Sequence, residues 1–226
     1  MVHGIGKKGM PQFVPFNIFA TGKNTLKTFS QIQPVDPSQP LPNLRGQARY
    51  ASLYINEITL KLLPLEDAVA SIFLNYQFVI DKLADLSNAD DITTLKWLLR
   101  YYETQLFMEL GMAIDWHYDS EGNAIDANSS YRYIMEAGWM PVVRQGSKVE
   151  SNVIAGKDIV YLQTLDWQTL LRQLSQDDPV SNEISLPTSK ALQAVSTVHR
   201  QVIDHLFDYQ PLQSRILWRQ WQSYQN

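Results

Sequence analysis

A metal or catalytic centre needs donor groups at fixed spacing, and the densest group of them here is His117 with Asp115, Asp119, Glu121 and Asp126. The spacing does not fit a calcium loop, which takes acids at alternating early positions and a glutamate at the twelfth. One histidine among flexible acids is not a structural zinc set either. A solvated acidic loop is the simpler expectation. His199 falls on the apolar stripe of a helical pattern, where a hydrogen-bonded core or boundary histidine is expected before a base or ligand. Gly4, Gly6 and Gly9 flank Lys7-Lys8, but no Lys-Ser/Thr follows glycine at the spacing of a phosphate-binding loop, so nucleotide hydrolysis has no support. None of the 226 residues is cysteine, which removes disulfides, thiolate nucleophiles and thiolate zinc sites together. There is also no nucleophile elbow, no dinucleotide fingerprint and no recognisable carboxylate pair. The expectation is a protein that is not an enzyme and carries no cofactor and no metal.

What remains are cations beside aromatic rings. Residues 1–49 carry a net charge of +5 and the rest −9, although the whole chain is only −4. Phosphate contacts need localised positive charge, not a positive total. Lys7, Lys8, Lys23 and Lys27 are the candidate DNA-binding residues in that basic segment, with Phe13, Phe16, Phe19 and Phe29 interleaved. Single-stranded nucleic acid stacks its bases on rings while lysines neutralise phosphates. Strand alternation would instead pack at least two of the four phenylalanines within the sheet. In the acidic remainder, Arg100 stands beside Trp97, Tyr101 and Tyr102. A cation at an apolar pocket suits an acidic peptide with a hydrophobic end. Arg200 and Arg215 are further candidates for partner binding, and a plain surface salt bridge is the competing reading for all three.

The elements that must hold these residues follow from hydrophobic period. Gln12–Phe19 and Thr25–Ile32 read as alternating strands around turn chemistry at Thr21-Gly22-Lys23-Asn24, a β-hairpin. Pro34, Pro37, Pro40 and Pro42 then mark a stiff linker and a domain boundary near residue 42. Beyond it the period becomes 3.6. Ala48, Ala51, Ile55, Ile58 and Leu62 form one stripe ending at Pro64. Val69 to Leu86 and Leu95 to Leu110 form two more, with Gly111 as a C-cap. Residues 112–160 break the pattern and read as a loop-rich, cysteine-free, β-like insertion. Helical pattern resumes at Asp166, an N-cap, and again from Leu192 to Tyr209, and Ile216, Leu217, Trp221 and Tyr224 share a side. With no apolar run of about 18 residues, and with Met1–Ala20 interrupted by Lys7, Lys8, glycines and two prolines, a soluble cytoplasmic protein without a membrane partner is expected.

Leu53-Tyr54-Ile55-Asn56-Glu57-Ile58 resembles a signature of the RecO family of bacterial recombination and repair mediators. Leu99-Arg100-Tyr101-Tyr102-Glu103 running to Leu106 and Leu110-Gly111, and Pro211-Leu212-Gln213-Ser214-Arg215 with Leu217 and Arg219-Gln220-Trp221, resemble the same family in the same order. The resemblance implies an α+β protein, with a partial OB-fold-like β domain and linker over 1–42 and an α-helical bundle domain over 43–226. It implies a non-catalytic function: binding single- and double-stranded DNA, annealing strands, and with RecR loading RecA onto DNA coated by single-stranded-DNA-binding protein, in the nucleoid. Gly6-Lys7-Lys8-Gly9 resembles the family's basic DNA-contacting loop. Arg100 is matched to the site that takes the acidic C-terminal tail of single-stranded-DNA-binding protein. Many members carry a four-cysteine zinc excursion where 112–160 has none, and a complete barrel would need about 25–30 residues ahead of Met1. A scaffold that binds partner tails without DNA affinity is the alternative.

Overall fold

The computed structural model describes residues 10–23, 27–64, 68–86, 91–142, 152–174 and 189–225. The chain divides into two units, Met1–Leu44 and Arg45–Asn226, and its elements are α+β, as the resemblance implies.

In the first unit, β1 (Phe16–Thr21) and β2 (Thr28–Pro34) pair antiparallel. The register runs Ile18 opposite Ile32, then Phe19 opposite Gln31, then Ala20 opposite Phe29, leaving Ser30 as the extra residue of a bulge. From Thr28 to Ile32 the strand therefore does not alternate strictly. Phe29 and Ile32 are three apart, and the bulge is what returns both to the face that carries Ile18 and Ala20. Ser30 donates its hydroxyl to the Phe19 carbonyl at 3.2 Å. Ile32 is buried, whereas Phe19 and Phe29 are exposed and Phe13 and Phe16 half-buried. Asp36 takes hydrogen bonds from the Ser38 amide at 2.8 Å and hydroxyl at 2.6 Å, fixing a turn inside the proline-rich stretch.

The second unit opens with α1 (Gly46–Leu62), α2 (Ala70–Asp85) and α3 (Ile92–Glu109), whose stripes meet in a core that includes Ile55, Ile58, Val79, Leu83 and Leu106. Asp91 caps α3 by accepting from the Thr94 amide at 3.0 Å. At its other end Gly111, at φ +70°, donates to the Met108 carbonyl while Met112 donates to Phe107. This is the paired carbonyl closure that a left-handed glycine permits.

The excursion that follows is more ordered than a loop. β3 (Ser130–Ile134), β4 (Gly138–Pro141) and β5 (Ile154–Ala155) form a three-stranded antiparallel sheet in the order β4-β3-β5. Trp139 pins it. The ring is fully buried, donates Nε1–H to the Asp115 carbonyl at 2.7 Å, and meets Trp116 and Tyr133 at 5.3 and 5.2 Å. Helix resumes earlier than Asp166, at α4 (Gly156–Gln163), because Ile159 and Leu162 bury a two-turn stripe too short to read as periodic. Next come α5 (Trp167–Leu174), whose first turn Asp166 caps from 3.0 Å, α6 (Ser189–Leu206) and α7 (Gln213–Gln225).

Candidate partner-binding groove

Three of four consecutive α1 residues reach three different partners. Tyr54 donates its hydroxyl to Glu103 at 2.6 Å, Asn56 accepts from Tyr76, and Glu57 receives the Gln213 amide at 3.0 Å and the Ser214 amide and hydroxyl at 2.8 and 2.7 Å. Glu57 thus caps α7 from another helix, placing a carboxylate on otherwise unpaired N–H groups at the positive end of the dipole. Burial opposes its charge. Lys61 at 2.8 Å and the Gln213–Ser214 donors outweigh it together and hold the carboxyl down at about 2. Because Gln213 and Ser214 sit beside Glu57 while Tyr50 meets Trp218 and Trp221 at 5.6 and 5.4 Å, α1 and α7 run antiparallel.

Beneath them lies an ionic framework. Glu103 on α3 accepts from Tyr54 and Arg100 on one oxygen, the latter at 2.8 Å, and meets His199 Nδ1 on the other at 2.8 Å. Burial favours a neutral Glu103, but Arg100, His199 and Tyr54 overcome it and hold the carboxyl below its usual range. Burial pushes His199 below the ordinary histidine value despite Glu103, so the neutral ring donates from Nδ1. Glu103 and His199 are each 1% exposed, and with Tyr54 and Arg100 they tie α1, α3 and α6 together.

Above the framework α1, α3 and α7 enclose a groove of about 220 Å³. Tyr50, Ala51, Leu95, Leu99 and Trp218 supply apolar walls, and Lys96, Arg100 and Arg215 supply three cations, with no carboxylate in the lining. Arg215 is held by Asp204 and lies over the Tyr54 ring at 5.6 Å. Burial alone would lower its basicity, but Tyr54 and Asp204 raise it above the usual arginine value. Arg100 is largely buried, and its Nε is a buried donor without an acceptor among the described residues. The arrangement can bind an anion joined to an apolar group.

Of the residues singled out in the sequence, Arg100 and Arg215 meet in this groove, from helices more than a hundred residues apart. Arg200 does not line it. That side chain is 73% exposed, with Nε 3.6 Å from Asp204. Lys23 is exposed by the hairpin turn, and Lys27 is half-buried and donates to the Gly22 carbonyl at 3.2 Å. Lys7 and Lys8 lie outside the described residues. His117 is an exposed loop residue whose amide donates to Asp115 at 2.7 Å, and no cluster of three metal-ligating side chains occurs among the described residues. Sequence reasoning missed Lys96, Tyr50 and Trp218. Lys96 had a signal, one helical turn before Arg100 on the same face.

The family model for the C-terminal region of recombination protein O matches residues 45–200. The chain is 32% identical over 165 residues to the DNA repair protein RecO of Stutzerimonas stutzeri, a match covering 72% of this chain and 64% of that relative. It is 30% identical over 156 residues to the Pseudomonas aeruginosa PAO1 protein of the same name, covering 69% and 61%. For the Haemophilus influenzae 86-028NP protein of that name the figures are 29% over 163 residues, 71% and 63%. The chain thus spans a little under two thirds of the length of the curated relatives it matches.

Proposed function

The chain belongs to the RecO family, and on that premise we propose that it is a non-enzymatic DNA repair and recombination mediator. It binds single- and double-stranded DNA, anneals strands, and with RecR helps load RecA onto DNA coated by single-stranded-DNA-binding protein, in the cytoplasm at the nucleoid. Annealing needs no nucleophile; it needs phosphate repulsion screened and bases left free to pair. No helix among the described residues is long and apolar enough to cross a membrane. The observation that carries the reading is the groove: three cations, apolar walls and no carboxylate, on a body that is otherwise acidic. An acidic peptide ending in an apolar residue satisfies both parts of it, and the C-terminal tail of single-stranded-DNA-binding protein is that ligand.

Lys96 and Leu99 test the groove without disturbing the ionic framework. Titrating a labelled acidic peptide with a C-terminal phenylalanine, Lys96→Glu and Leu99→Asp should each weaken binding by about tenfold, some 1.4 kcal/mol, with melting temperatures close to wild type. Wild-type affinity in both variants removes the groove from the proposal. A DNA titration against salt then separates a mediator from a scaffold, because only the DNA binder shows a steep negative slope.

A further inference from the structure

Two of the helices that wall the groove, α1 and α7, carry a second surface where the start of one meets the second half of the other. Residues 45–56 and 211–226 contain Arg45, Arg49, Arg215 and Arg219 and no acidic residue, within a body whose net charge is strongly negative. Antiparallel packing brings the basic start of α1 alongside the second half of α7. There Trp218 and Trp221 stack at 5.2 Å with their planes 29° apart, and Tyr50 tilts against Trp221 at 5.4 Å. Each of the three rings keeps part of its surface in solvent, and Arg49 and Arg219 are exposed. The start of α1 has no side-chain cap and no acid in its first turn.

We infer that this face, centred on Trp221 with Arg49 and Arg219 beside it, binds single-stranded nucleic acid by stacking bases on its indole rings. A buried aromatic cluster would serve packing alone. Here, rings with solvent-facing area are interleaved with cations and free of carboxylates. That combination matches stacked bases and their phosphates, and it offers an acidic peptide nothing the groove lacks. The inference rests on the reading of the chain as DNA-binding, but puts a contact on the helical unit, apart from Lys7, Lys8, Lys23 and Lys27. Trp221, Arg49 and Arg219 do not line the groove, so the two sites separate by mutation.

The test uses the full chain, an oligothymidylate of about 12 nucleotides, and an abasic deoxyribose-phosphate strand of equal length. Trp221→Ala should weaken oligothymidylate binding about tenfold and leave abasic binding unchanged. Trp221→Phe, which keeps a ring against Tyr50, should recover most of the loss and guards against a folding defect. Arg49→Ala with Arg219→Ala should weaken both strands and flatten the salt slope by about one unit or more. Unchanged oligothymidylate affinity in Trp221→Ala overturns the inference, as does an equal loss on the abasic strand, or a loss confined to the acidic peptide. A wild-type chain that ignores oligothymidylate also overturns it, while groove docking is judged separately by the Lys96 and Leu99 variants.

Discussion

Arg100 was the residue most readily assigned to a partner from sequence, and its surroundings give it a second task. It supplies Glu103 with a buried guanidinium, so removing it leaves a carboxylate that is 1% exposed with only Tyr54 and His199 for support. Arg100→Ala should lower unfolding free energy by about 3 kcal/mol in denaturant titration, which makes its effect on peptide binding uninterpretable alone. A loss below about 1 kcal/mol would show that the framework does not depend on it. Glu57 makes a pH prediction. Its carboxyl is held at about 2 in the folded chain against an ordinary 4.5, so its contribution is complete above pH 4.5 and is lost as pH falls towards 2. Glu57→Gln should remove that part of the acid-side slope and cost about 1–2 kcal/mol at neutral pH. An identical slope in the variant would place the titration elsewhere.

Helices α1, α2, α3 and α6 were legible because each buries a stripe of period 3.6 long enough to count, and Gly111 and Asp166 supply ordinary capping chemistry. The excursion was legible only as a β-like break in that pattern, without its strands or their pairing. Its sheet is held by Trp139 reaching the Asp115 carbonyl and by close backbone approach at Gly156, and neither leaves a periodic trace. A Cβ on Gly156 would sit 1.9 Å from the Asp126 carbonyl oxygen, so the glycine is there for space. Gly156→Ala should cost about 2–3 kcal/mol by forcing α4 away from the turn at Asp126, readable as a lower melting temperature. Wild-type stability would mean that the turn yields freely. The bulge in β2 was missed for a related reason: a one-residue insertion changes which residues share a face without changing composition.

For the whole molecule, charge was the informative sequence signal and its total the least useful part. The acidic body conceals two arginine-bearing segments that meet only when α7 returns to α1, so Arg100 could be nominated from its own helix, while Tyr50, Trp218 and Trp221 could not. A protein purified without added metal should contain well under one zinc per chain, since the excursion has no thiolates and is packed around Trp139. Stoichiometric zinc surviving dialysis would contradict this. The Glu57 cap also has a consequence for biosynthesis. Its amide partner at Gln213 is 156 residues further along the chain, about 8–30 s of translation at ordinary bacterial and eukaryotic rates. Through that interval the α1 carboxylate has only Lys61 of its own helix for a partner and Tyr50 lacks its rings on α7, so the wall of the groove closes only once α7 has been made.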